Sequence, residues 1–284
     1  MDTIVAVVSD THCGSMVGLM PPRQWLLDAG GYYDPSDGQR FLWEVWAEFW
    51  EKVAKLRKGK QLVVVFNGDA VQGVDEGFTA IISKRPEEHE AIHVECMDWA
   101  LKAARFNREK GDRLFYVRGT ERHSEPGAQA EERIAQDLGA EQREGRSSNV
   151  LLRLPINGVM FDFMHRREKA GGRVWTEDNA LFYAAKDCYF RFDRERRYKA
   201  PFDVIMIGSH FHEWVPPITY RGKQGNVTCV ITPAFQLMTH YSLEATKGMR
   251  NPTIGALAFT VLEDGTWDQF ELIYEPDPAP AEPL

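Results

Sequence analysis

The sequence has no long apolar run. Its densest stretches, such as Val204 to Ile207, are far shorter than the roughly 20 residues needed to cross a bilayer. The N-terminus carries acidic Asp2 and no basic region, so neither a secretory signal nor a membrane partner is expected. Cysteine is scarce: the four residues at 13, 96, 188 and 229 lack both zinc-ribbon spacing and the density of a disulfide scaffold. That points to a reducing, cytoplasmic setting. Positive charge is also in deficit, with 34 Lys and Arg against 42 Asp and Glu, a net charge of −8. Bulk capture of nucleic acid through its phosphates needs a basic face, so contact with DNA or RNA is expected only through a local site. No internal repeat is found.

What remains is globular in character. The chain has 284 residues, 43% of them hydrophobic and 12% aromatic, enough for one large domain or two small ones. Thr3 to Ser9, Leu62 to Phe66 and Leu114 to Val117 are near-continuous apolar runs, the pattern of strands buried on both faces. Leu42, Trp46, Phe49, Val53 and Leu56 recur at spacings of four and three and predict an amphipathic helix. Further helices are predicted over Glu87 to Asn107, Gly127 to Leu138 and around Trp175 to Arg197. Asn157-Gly158 predicts a hairpin between Val150 to Pro155 and Val159 to His165, where a second sheet is expected to start. Val204 to Ile207 predicts another buried strand, followed by the pairs Trp214 to Tyr220 with Asn226 to Thr232, and Ile254 to Leu262 with Trp267 to Tyr274. The expected fold is α/β (α+β): one domain over 1–275, with an insertion loop and helix at 14–60 and a disordered tail at 276–284.

The chemistry-bearing residues follow these strands. Asp10 and His12 close the first, Asn67-Gly68-Asp69 the second, Gly119 to His123 the third, His165 the hairpin, and Gly208-Ser209-His210-Phe211-His212 the next. Residues two apart on an extended segment point to the same side, so Asp10 with His12, and His210 with His212, can each reach one ion. Mixed imidazole and carboxylate ligands suit Mn, Fe, Zn, Ni or Co. Asp10, His12, Asp69, His165, His210 and His212 exceed the three protein ligands usual for one catalytic ion. Two divalent ions sharing a carboxylate account for them economically.

In this order the blocks resemble those of the calcineurin-like metallophosphoesterases: Asp-x-His, Gly-Asp, Gly-Asn-His, a single His and Gly-His-x-His. The resemblance covers roughly residues 1–275 and implies an αββα sandwich of two mixed sheets flanked by helices. It further implies that Asp10, His12 and His212 hold a first metal, that Asp69 bridges, and that His165 and His210 hold a second, manganese being favoured. Two departures stand out. Thr120 replaces the family's Asn with the following histidine displaced to His123, and Ser209 intervenes between Gly208 and His210. The Gly-Thr-x-x-His form is similar to phage- and prophage-encoded members. The implied activity is hydrolysis of a phosphate-ester substrate by metal-activated hydroxide, with a phosphodiester of nucleotide or nucleic-acid type preferred and His123 protonating the leaving group. Alternatives are a phosphomonoesterase or protein phosphatase of the same family, or a silent binding module with an impaired second metal site. Glu121 is a competing replacement ligand.

A rival motif, His89-Glu90-Ala91-Ile92-His93, matches the H-E-x-x-H of zinc metalloproteases. It would leave every strand-end ligand unexplained, and a solvated helix start is the preferred reading. Trp43, Trp46 and Trp50 at helical spacing are read as core, and Asp75 and Glu76 as loop acids. Arg118, Arg122, Arg166 and Arg167 are read as solvated. No base is placed to make Cys13 a nucleophile.

Overall fold

The computed structural model describes residues 1–74, 80–124, 129–167, 179–194, 202–239 and 251–276. Strand β1 (Thr3–Val8) is buried along its whole length because it lies inside a sheet, flanked by β4 (Gln61–Asn67) and β12 (Ile254–Val261). Its side chains alternate between two cores. Ile4, Ala6 and Val8 face a layer of helices, while Val5 and Val7 face a second sheet. β4 divides the same way, with Leu62, Val64 and Phe66 on the helix side and Val63 and Val65 on the other. β5 (Arg113–Val117) and β6 (Ser148–Asn149) extend this sheet on one side and β13 (Trp267–Tyr274) on the other, giving the order β13-β12-β1-β4-β5-β6.

The second sheet has the order β10-β11-β9-β8-β7, from β7 (Leu152–Ile156), β8 (Val159–Phe163), β9 (Phe202–Gly208), β10 (Val215–Arg221) and β11 (Gly225–Ile231). Ile205 and Ile207 of β9 pack toward the first sheet, whereas Val204 and Met206 pack against Leu181, Ala185 and Tyr189 of helix α5 (Asn179–Arg194). Helices therefore cover the outer face of each sheet. Both sheets are mixed, as expected of an α+β fold.

Helix α1 (Asp37–Arg57) begins in a capping box, with the Ser36 hydroxyl accepting from the Gln39 amide and the Gln39 side chain accepting from the Ser36 amide. Its apolar stripe buries Trp46 and Trp50 completely, which makes these tryptophans core residues; truncating one to alanine costs about 3–5 kcal/mol. Helix α2 (Pro86–Ala103) ends earlier than its sequence pattern suggests, because Arg105 takes a left-handed conformation and a separate turn follows at Arg108–Lys110. α4 (Gln129–Asp137) completes this layer.

Two small elements carry no periodic signal in the sequence. The insertion after β1 contains a short hairpin, β2 (Trp25–Leu26) with β3 (Tyr32–Tyr33), and β6 is only two residues long. The last hairpin, β12–β13, returns to the first sheet beside β1. The predicted tail at 277–284, the flanks 175–178 and 195–197 of the α5 pattern, and the loop acids Asp75 and Glu76 lie outside the described residues. No helix among the described residues is long and apolar enough to cross a membrane.

Candidate metal centre

β1, β4 and β5 run parallel, so their C-terminal ends share one edge of the sheet. Asp10, Asp69 and Thr120 meet there. The turns are tied together by backbone bonds: the Asp10 amide donates to the Gly68 carbonyl at 2.9 Å and the His12 amide to the Asp69 carbonyl at 3.2 Å. β8 and β9, also parallel to each other, deliver His165, His210 and His212 from the second sheet. His165 lies two residues past the end of β8, and its loop is held when the Ser209 amide donates to the His165 carbonyl at 2.9 Å.

Asp10, His12 and His212 form one group. The His212 Nε2 is 3.3 Å from Asp10 Oδ1 and 3.0 Å from His12 Nε2. Asp69, His165 and His210 form another, with Asp69 Oδ2 at 3.0 Å from His165 Nε2 and 3.8 Å from His210 Nδ1. His12 also lies 4.0 Å from the same Asp69 Oδ2, which places that oxygen between the groups. Ligand atoms around one ion at about 2.0–2.2 Å lie about 3–3.5 Å apart, and within each group the ligand atoms fall within 4.8 Å of one another. The residues fit a cation chemically as well. Asp10 Oδ1, His165 Nε2 and His210 Nδ1 are buried without a well-formed hydrogen bond, a costly arrangement unless something else satisfies them. These buried His and Asp groups can hold metal ions.

Electrostatics point the same way. Burial lowers the His12 imidazole well below the ordinary histidine range, and His123 and His212 push it further in the same direction, so it is the neutral form that a metal requires. Burial also disfavours a charged His165, but the Asp69 and Asp10 carboxylates overcome this and push it up to about 10. Asp69 is held well below the carboxylate range: burial raises it, and the neighbouring His165 more than compensates. A proton on His165 thus stands where the carboxylates favour positive charge.

The ligands also occupy an unusual backbone conformation. Asp10, His12, Asp69, His210 and His212 all have positive φ, between 40° and 79°. They make up five of the nine such non-glycine residues described, and strain of this kind concentrates at functional sites. Two glycines make the crowding possible. A Cβ on Gly68 would sit 2.5 Å from His165 Nδ1, and one on Gly119 would sit 2.2 Å from Asp69 Oδ1.

His123, on the single turn α3 (Glu121–Ser124), reaches the same place. Its ring stands edge-on to His12 at 4.5 Å, its Nδ1 is 2.8 Å from the Gln72 carbonyl oxygen, and with His12 and Asp69 it forms a third group of adjacent ligand atoms. Glu121 is exposed and belongs to none of the groups found among the described residues.

Sequence reasoning missed three residues that hold these ligands. The Thr120 hydroxyl and amide both donate to Asp69 Oδ1, and the Asn67 backbone carbonyl and the Ser209 hydroxyl flank His165 Nδ1. The only signal for Thr120 and Ser209 is that each sits where the chain departs from the motif.

The H-E-x-x-H segment is built differently from the reading as a solvated helix start: His89 and His93 are both fully buried. His93 Nδ1 is 3.0 Å from the Thr11 hydroxyl and its Nε2 is 3.0 Å from the Tyr116 hydroxyl, which leaves no nitrogen for a metal. His89 Nε2 meets the Ser83 carbonyl at 2.9 Å, and Glu90 pairs with Arg133. Two arginines read as solvated are also tied down. Arg167 binds Asp162 and the Ile207 carbonyl, and Arg118 binds the Ser148 hydroxyl. Cys13 has no exposed surface, and although burial raises its thiol, contacts with Cys96 and His93 bring it down to about 6.

No family model matches the chain, and no curated protein is significantly similar to it.

Proposed function

We propose that the chain is a dimetal phosphoesterase with the calcineurin-like αββα arrangement, acting on phosphodiesters of nucleotide or nucleic-acid type. The observation that carries this reading is the position of Asp69 Oδ2, within 4.0 Å of ring nitrogens from both ligand groups, so that one carboxylate serves both. Asp10, His12 and His212 would hold one divalent ion and His165 and His210 the other. Manganese is the favoured metal, and Fe, Zn, Ni and Co suit the same donors. Two such ions would supply an activated water near neutral pH and offset charge on the phosphoryl oxygens.

The remaining chemistry falls to the chain. An alkoxide leaving group must be protonated as it departs, and His123 is the group at hand. With its Nδ1 proton donated to the Gln72 carbonyl, its Nε2 becomes the atom that carries the transferable proton. Asp10 and Asp69, both held below the ordinary carboxylate range, would offset about half the charge of two divalent ions and leave the remainder to attract the substrate's negative charge. With a net charge of −8, nucleic-acid contact, if made, would be through a local site and not a broad basic face.

The test combines metal analysis with a substrate panel. Metal-replete protein should carry two equivalents and hydrolyse bis(nitrophenyl) phosphate faster than nitrophenyl phosphate. Less than one equivalent, or no turnover of either ester with any of the five metals, would refute it.

A further inference from the structure

We infer that Thr120 is a positioning residue: it ties up Asp69 Oδ1 so that Oδ2 alone is shared between the two ligand groups. The inference rests on the two-ion reading and adds to it a cause for the sharing. A carboxylate oxygen has about two acceptor sites. On Asp69 Oδ1 both are taken, by the Thr120 amide at 2.6 Å and the Thr120 hydroxyl at 3.0 Å. The opposite oxygen, Oδ2, faces His165, His210 and His12, and lies farther from the Thr120 hydroxyl, at 3.4 Å. Donors on one oxygen fix the carboxylate's rotation about its Cβ–Cγ bond and direct the other oxygen at the histidines.

Without that clamp the carboxylate can turn and present both oxygens to a single ion. The two groups would not suffer equally. Asp10, His12 and His212 include a carboxylate of their own, whereas among the described residues Asp69 is the one carboxylate grouped with His165 and His210. Loosening Asp69 should therefore cost the second ion its sole negative ligand and leave the first in place. Gly119 contributes as well, since a side chain there would displace Asp69 Oδ1 from Thr120. Thr120 thus takes a role in this chain that differs from direct ligation: its polar hydrogens point at Asp69.

The decisive comparison is Thr120→Val, which keeps shape and the backbone amide but removes the hydroxyl, against Thr120→Ser, which keeps the hydroxyl. Mn(II) is titrated calorimetrically into metal-free protein, and loaded samples are examined by electron paramagnetic resonance. Wild type should bind two ions and give the spectrum of an exchange-coupled pair; failure there would overturn the two-ion reading before any variant is considered. Given two ions in wild type, Thr120→Ser should match it. Thr120→Val should bind the first ion normally and the second about 10–100-fold more weakly, the usual effect of losing a group that orients a ligand, with an uncoupled Mn(II) spectrum at one equivalent. Equal second-ion affinity in Thr120→Val would overturn the inference. So would equal impairment of Thr120→Ser, or loss of both ions with a lowered melting temperature.

Discussion

The Ser209 hydroxyl lies 2.9 Å from His165 Nδ1, joining the residue that follows β9 to the one that lies beyond β8. The same hydroxyl is 2.8 Å from the Asn67 carbonyl oxygen, which in turn is 2.7 Å from His165 Nδ1. An Nδ1 proton donated into this pair of oxygens leaves the Nε2 lone pair directed at the Asp69 side. Ser209→Ala should therefore weaken binding of the second ion by about 10–100-fold while sparing the first. Stepwise metal titration reads this directly, and unchanged affinities would show the hydroxyl to be a spectator.

A general acid matters most for a poor leaving group. His123→Ala should slow hydrolysis of an alkyl phosphodiester by about 10²–10⁴-fold and leave a nitrophenyl ester and the metal content nearly unchanged. If His123 is instead a metal ligand, as its place beside His12 and Asp69 permits, both substrates should be hit equally and one metal equivalent lost.

The buried H-E-x-x-H segment makes a separate prediction. Glu90→Gln should leave metal content and esterase activity intact, because Glu90 pairs with Arg133 rather than with any candidate ligand. His89→Ala should also spare the metal but lower the melting temperature, since it opens space beside Gly14, where a Cβ would sit 2.2 Å from the imidazole. Loss of a metal equivalent in either variant would contradict the geometry.

Glu132 provides a pH-dependent contribution to stability. Partial burial raises its pKa, but the Ser148 hydroxyl at 2.6 Å and the Ser147 and Ser148 amides at 2.8 and 2.9 Å outweigh that and leave it below its ordinary value of 4.5. A depressed carboxyl stabilises the fold above its unfolded value and loses that contribution as pH falls through the folded one. Glu132→Gln should thus lower the melting temperature at pH 7 and have a smaller effect at a pH below the folded value, where the wild-type carboxyl is also protonated. Equal losses at both pH values would refute the charge-based account.

The sequence was most readable where local pattern and burial coincide. β1 and β4 are continuous apolar runs because each serves two cores, and the ligands at their ends follow directly in the chain. Burial of His89 and His93 was not readable, because the surrounding glutamates resemble a solvated surface. Tertiary contacts put them inside: Glu88 accepts from the Asp28 amide, His89 lies against Gly14 and the Ser83 carbonyl, and His93 reaches Thr11 and Tyr116. Thr120 and Ser209 were visible only as departures from a motif. Their effect depends on Asp69 and His165, which are 51 and 44 residues away in sequence, a relation no local pattern carries.

The position of β1 also sets the order of assembly. Its two neighbours are β4, reached within the first 67 residues, and β12, which begins at Ile254. During synthesis at the ribosome, one edge of β1 therefore stays open until β12 has emerged, and an open apolar edge is prone to pair with the wrong strand. Asp10, beside that edge, also waits for Phe235, whose amide donates to its carbonyl at 3.0 Å. The candidate ligand cluster thus closes only after residues 235 and 254–261 are in place, and β1 presents an apolar edge until then.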